Sequence, residues 1–422
     1  MEKDMKKRLA LFLLATIGLP TATFADFVVN NIKYAPISDT EVKVTGGVPA
    51  GSSLTIPETV YDEDEDTEYT VTEIGDNAFA LFGSDGARIS SSVTLPKTIR
   101  RIGDGAFNYQ SFSAINLPEG LTYIGEKAFE VNRNLHSVIL PSTLKEIGLE
   151  AFSRSGLSYV YVLGDTPCKL GTDLFLDISG TDDNQQTVGF HIVVKHSKLA
   201  AYTEAWETYK EVITDQVPVT TSGEMPVYAG WGEEPTTGLA TYCNSMAIDI
   251  SGAEGLNAYY IKEVTDNTAI AKLLTTKIIP AGEGVLINGE KGKTYYGYLA
   301  DDQNVALGEH NCLTGVTKNT PMSPVTDNNK NYVLYDLAFT LFDNSDQWRS
   351  YIRKNTAYIT VSSNSVTSDT LKVKLEGNAS AVNRIAFSSN DKHSVYYRID
   401  GTCTKSPAKG LYIHKGKKII LK

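Results

Sequence analysis

Ile74-Gly75-Asp76-Asn77-Ala78-Phe79 recurs as Ile102-Gly103-Asp104-Gly105-Ala106-Phe107, as Ile124-Gly125-Glu126-Lys127-Ala128-Phe129 and as Ile147-Gly148-Leu149-Glu150-Ala151-Phe152, at steps of 28, 22 and 23 residues. A second marker, apolar-x-apolar-Pro, precedes each copy: Leu54-Thr55-Ile56-Pro57, Val93-Thr94-Leu95-Pro96, Ile115-Asn116-Leu117-Pro118 and Val138-Ile139-Leu140-Pro141. Two markers in constant phase define a repeat whose single unit cannot bury its own apolar face, so the units must stack. The apolar-x-apolar triplet suits a short strand with one buried face. Pro ends that strand because it has no N–H to give to a ladder. Ile99, Leu121, Leu144 and the Ile of each Ile-Gly pair are expected to point inward. Gly is expected to allow a tight corner, and the Phe ring to plug the core.

Strand alternation then sorts the side chains. Val93, Leu95, Ile115, Leu117, Val138, Leu140, Val160 and Val162 face inward. Thr55, Thr94, Asn116, Ile139 and Tyr161 form one outward row, and Ser92, Ala114, Ser137 and Tyr159 its neighbour. The face passes from small polar residues to aromatic ones, and Tyr adds contact area at low entropic cost. Asn116, Ile139, Tyr159 and Tyr161 are therefore the candidate binding residues. The competing reading has these rings packed on the C-terminal cap or the next domain.

The repeat is similar to the BspA-like leucine-rich repeat of surface proteins from host-associated Gram-negative bacteria. The resemblance covers residues 26–215 and implies a capped solenoid of about five units. Residues 27–47 resemble an N-terminal hairpin cap. Val160-Tyr161-Val162 with Leu170-Gly171-Thr172-Asp173-Leu174-Phe175 resembles a degenerate fifth unit. His191-Ile192-Val193-Val194, then Leu199-Ala200-Ala201-Tyr202 and Ala205-Trp206, resembles a closing strand and helix. Two insertions break the period, at 61–68 and 84–91. The first carries Asp62, Glu63, Asp64, Glu65, Asp66 and Glu68 and reads as a solvated hairpin, since it lacks the Gly-centred spacing of a calcium loop.

Residues 1–25 read as a secretory signal peptide: Lys3, Lys6, Lys7 and Arg8, then an apolar run from Leu9 to Leu19, Pro20, and small residues Thr23 and Ala25 before the cut. The run is too short to span a bilayer, which needs about 20 apolar residues. The chain has 422 residues and net charge −11; cleavage after Ala25 leaves −13. That acidity excludes nucleic acid as the main partner and electrostatic docking on anionic lipid. The expected destination is secretion or the outer cell surface, with no membrane span. The sequence sets no oligomeric state.

Residues 216–226 read as a linker, rich in Pro, Ser, Thr and Gly. Beyond them, residues 227–379 show short alternating runs at 237–244, 256–264, 272–278, 284–288, 293–299, 332–337, 357–361 and 371–376, the pattern of an antiparallel β-sandwich-like domain. Gly238-Leu239-Ala240-Thr241-Tyr242, Leu256-Asn257-Ala258-Tyr259-Tyr260 and Ile279-Pro280-Ala281-Gly282-Glu283-Gly284-Val285-Leu286-Ile287 resemble a β module of secreted proteins from the same bacteria, for which no catalytic residues are carried over. Residues 380–422 form a small β tail resembling sorting signals. The fold class is thus α+β, β-rich: a leucine-rich-repeat solenoid, a sandwich-like domain and a tail.

Chemistry is hard to find. The six His lie at 136, 191, 196, 310, 393 and 414 with no metal-ligand spacing, and His191, opening an apolar strand, reads as structural. Nucleophile-elbow, phosphate-loop and dinucleotide motifs are missing from the sequence. Cys168, Cys243, Cys312 and Cys403 are widely spaced and show no disulfide framework; Cys243–Cys312 is the best single pair. The expectation is a non-enzymatic binding or adhesion protein without cofactor or metal, taking a host protein or a glycan on the repeat sheet face. The alternative is a glycan-active enzyme or accessory module with its site in the β domain.

Overall fold

The computed structural model describes residues 25–49, 51–82, 88–178, 180, 189–220, 238–290, 292–317, 320–321, 325–326, 328–335, 338–342, 351–352, 355–376, 396–398, 403–404, 410–414 and 417–421. The proposed signal peptide, apart from Ala25, lies outside them. Contacts divide the chain into two units, one of residues 1–192 with 200–213 and one of 193–199 with 214–422.

In the first unit every repeat contributes two short parallel strands. One ladder carries the residue before each Ile-Gly: Thr67–Ile74, Arg101–Ile102, Tyr123–Ile124, Glu146–Ile147 and Lys169–Leu170 pair in sequence order. We call it the motif ladder. The other runs up to each Pro: Leu54–Thr55, Ser92–Thr94 and Ala114–Asn116 form one block, and Ser137–Leu140 with Tyr159–Val162 begin a second. This is the proline ladder. Of its expected inward residues all are buried except Ile115, which is half-exposed. Ile99 and Leu121 are 0% and Leu144 8% exposed.

The Phe of each motif stacks on the next. Phe79, Phe107, Phe129, Phe152 and Phe175 succeed one another at centroid distances of 5.6, 5.5, 5.1 and 6.0 Å. The expected role of the motif glycine is corrected. Gly103, Gly125 and Gly148 keep ordinary φ; what forbids a side chain is the preceding coil. A Cβ on Gly125 would sit 2.5 Å from the carbonyl carbon of Gly103, and one on Gly148 2.5 Å from the nitrogen of Glu126. The left-handed corner falls two residues later, at Asn77, Gly105, Lys127, Glu150 and Asp173, with φ of 54, 61, 52, 52 and 52°.

Before the repeats, Phe27–Val29, Ile32–Pro36 and Glu41–Gly47 form an antiparallel meander whose last strand joins the motif ladder in parallel. The acidic insertion is a hairpin of Thr59–Asp62 and Thr67–Ile74; Asp62 Oδ1 accepts from the N–H of Asp64 at 3.0 Å, so this carboxylate caps its own turn. At the other end helix Leu199–Ala205 buries Tyr202 and leads to buried Trp206. Trp206 Nε1 donates to the Cys168 carbonyl at 3.0 Å and Tyr202 Oη to that of Gly164 at 3.0 Å.

The second unit is β throughout its described residues from 214 onward. Its largest sheet has ten strands, including Leu239–Tyr242, Val285–Asn288, Asn257–Thr265, Thr268–Leu273, Thr370–Glu376, Ala338–Leu341 and Thr356–Ser362. Tyr259, Tyr332, Phe339, Ile359 and Leu371 fill its core. Three expectations change. Residues 216–220, read as linker, form an edge strand antiparallel to Thr294–Leu299 with Val217 and Val219 buried; an edge tolerates Pro218. The run at 272–278 ends as a strand at Leu273, because Lys277 turns left-handed at φ 58° and sends Ile278–Ile279 into another sheet. The domain is not wholly antiparallel: Thr268–Leu273 and Thr370–Glu376 run parallel, which the long intervening chain permits. The backbone of Tyr396–Arg398, Cys403–Thr404, Gly410–His414 and Lys417–Leu421 forms a four-stranded antiparallel sheet.

Candidate functional site

The outward positions of the proline ladder lie in register. Thr55 pairs with Thr94 and Thr94 with Asn116; Ser92 pairs with Ala114. In the second block Ser137 pairs with Tyr159 and Ile139 with Tyr161. The structure thus brings Ile139, Tyr159 and Tyr161 together and leaves Asn116 in the neighbouring block, not laddered to them. Asn116 is exposed; Ile139, Tyr159 and Tyr161 are half-buried.

The tyrosines are not isolated flags. Their rings stack at 6.0 Å and 13°, and Tyr159 stacks in turn on His191 at 5.4 Å. His191 belongs to the closing strand and donates its N–H to the Ser158 carbonyl at 2.8 Å. The cap therefore contributes a third ring to the wall, so one face of Tyr159 does pack on the cap as the competing reading holds. His191 could have been found by aligning His191-Ile192-Val193-Val194 with Tyr159-Val160-Tyr161-Val162.

With Ser53, whose hydroxyl accepts from Ser92 Oγ at 3.2 Å, the two rows comprise ten positions, none charged and none fully buried. The motif ladder is the opposite. Its outward register reads Lys43, Glu73, Arg101, Tyr123, Glu146, Lys169. Lys169 Nζ meets Glu146 at 2.7 Å, Arg101 lies 4.1 Å over the Tyr123 ring, and Arg100 meets Glu41 at 2.8 Å. The signal for this charged ladder was in the sequence, one residue before every Ile-Gly.

A third set of residues holds the coils together. Gln110 and Asn132, three residues after a motif Phe, are buried and donate to the carbonyls of Phe79 and Phe107 in the preceding coil at 2.6 and 2.9 Å. Among the described residues no group of three or more His, Cys, Asp or Glu converges as a metal site. Cys168, Cys243 and Cys312 are unpaired, so the Cys243–Cys312 bridge is not made; the Cys403 side chain lies outside the described residues. Burial pushes the thiols of Cys168 and Cys243 up to about 12. No described helix is long and apolar enough to cross a membrane.

The BspA type leucine rich repeat region matches residues 64–179 in six copies. A leucine-rich repeat protein from Bacteroides capillosus is 30% identical; the match covers 32% of this chain and 97% of that one, at TM-score 0.29. One from Bacteroides ovatus is 27% identical over 40% of this chain and 41% of that one, at TM-score 0.32. A leucine rich cell surface protein from Faecalibacterium prausnitzii is 17% identical over 42% of this chain and 56% of that one, at TM-score 0.24. The chain thus spans less than two thirds of the latter two. No curated protein matches the chain. With the motif in constant phase and six copies of the repeat matched, residues 64–179 are a BspA type leucine rich repeat region.

Proposed function

We propose that this chain is an exported, non-enzymatic binding protein that offers the proline-ladder face of a capped repeat solenoid to a macromolecular ligand. The observation that carries the reading is the face itself: ten outward positions, uncharged, repeated in register, ending at the stack of Tyr161, Tyr159 and His191. A stacked scaffold positions such a row without a loop, and extended surfaces of this kind are what repeat proteins use for binding. Asn116, Ile139, Tyr159 and Tyr161 are its contact residues. Residues 26–215 are assigned to the solenoid and 227–379 to a sandwich-like spacer. Residues 380–422 form a β tail for anchoring or sorting. The basic-then-apolar pattern of residues 1–25 supports export to the cell surface.

The test is a binding screen of residues 26–422 against glycans and matrix proteins, with a Tyr159→Ala/Tyr161→Ala double variant alongside. Loss of binding in the variant, with an unchanged melting curve, supports the face. Undiminished binding by the variant sinks it. Hydrolysis of any screened glycan sinks the non-enzymatic reading.

A further inference from the structure

The contrast between the two ladders points to the chemistry of the ligand. Charged residues make up 21% of the chain and dominate the motif ladder, yet the rows through Thr55, Thr94 and Asn116 and through Ser137 carry none. Charge reappears just outside them, where Lys97 and Glu58 pair at 3.5 Å beyond the prolines. A polyanion would find no cation on this strip. A folded protein partner would bring charged side chains that lose water without gaining a counter-charge. The core of a protein–protein interface is also rich in large aromatic residues, Met and Arg, whereas most of this strip is Ser, Thr, Ala and Asn. Hydroxyls and an amide both donate and accept hydrogen bonds. The rings at the far end supply apolar surface. Successive positions are spaced by the strand separation, about 4.8 Å, so the strip repeats its donors and acceptors along the stacking axis.

We infer that the proline-ladder face binds an uncharged, extended polysaccharide lying along the stack, with sugar hydroxyls on Thr55, Thr94 and Asn116 and sugar C–H faces against the Tyr159–Tyr161 end. This rests on the reading of that face as the binding surface and names its ligand class.

The test uses residues 26–422 with three kinds of probe: uncharged linear β-glucan, mannan and xylan; polygalacturonate as a charged glycan; and gelatin as a protein. The expected result is binding to at least one uncharged polysaccharide, tightening with oligosaccharide length and unchanged from low to high salt. Asn116→Lys and Thr94→Glu each weaken it about tenfold, the effect of stranding one buried polar contact. Both positions are exposed, and melting curves check that the variants fold. Asn116→Gln, which keeps the amide, retains most of the binding. If only polygalacturonate or gelatin binds, and Asn116→Lys or the Tyr159→Ala/Tyr161→Ala variant alters that binding, the polysaccharide inference falls while the face stands. If uncharged polysaccharide binds and no variant on the strip weakens it, both fall. No binding to any uncharged polysaccharide overturns the inference.

Discussion

Val131 holds φ at 60°, a region where a β-branched side chain crowds its own backbone. It stands two residues after Phe129; Tyr109 and Arg154, two after Phe107 and Phe152, take the same conformation at 58 and 55°. The turn therefore imposes left-handed backbone whatever residue occupies it, and at each of the three the N–H donates to a carbonyl of the next coil, that of Val131 to Ser153 at 2.9 Å. Val131→Asn is expected to raise stability by about 1 kcal/mol, measured as an upward shift of the melting transition. The motif glycine behaves oppositely. Gly125→Ala puts a methyl against the Gly103 backbone and should cost about 2 kcal/mol or more, because neither coil can withdraw. Solvent access sets a third residue-scale outcome. With thiols pushed up to about 12 by burial, Cys168 and Cys243 hold almost no thiolate at pH 8. Native protein treated with iodoacetamide at that pH should leave the buried Cys243 unmodified by mass spectrometry, and denatured protein should not. The need for Gly was legible in the sequence; its reason was not. A corner glycine and a close-approach glycine leave the same letter, and only the coil-to-coil distance separates them.

At the scale of the element, the five stacked Phe rings act as one column. Phe107, Phe129 and Phe152 each have a ring above and below, whereas Phe79 stacks within the column on Phe107 alone. Removing an interior ring leaves a cavity that neither neighbour can fill without breaking its own register. Phe129→Ala should cost about 3–5 kcal/mol, and Phe79→Ala less, by denaturant titration. The charged motif ladder contributes far less. Glu146 and Lys169 are exposed, so Glu146→Ala should cost under about 1 kcal/mol, and less at high salt. The strands, their order and their buried faces were legible because both markers keep phase. The buried amides of Gln110 and Asn132 were not, since nothing in the sequence says that a polar residue three positions after Phe turns inward to a carbonyl of the coil before it.

For the whole molecule, the two units have separate cores, one a column of rings and repeated aliphatics, the other built around Tyr259, Tyr332 and Phe339. Calorimetry should resolve two transitions, and Phe129→Ala should lower only the one belonging to the repeats. A uniform drop of both would show the units to unfold as one. What the sequence by itself determined is the repeat: the phase of Ile-Gly and of Pro, the alternation of each strand, and hence which residues face out, because periodicity is a local property that stacking can only obey. It also determined that the second half is β. What only the tertiary structure decided is whatever depends on neighbours distant in the chain. Residues 216–220 are a strand because Thr294–Leu299 lies beside them. Thr268–Leu273 runs parallel to Thr370–Glu376 because a long connection returns it there. His191 joins Tyr159 and Tyr161 because the closing strand lands in their register. Long-range partners are chosen by which apolar faces remain uncovered once the local elements have formed, and a sequence pattern does not carry that choice.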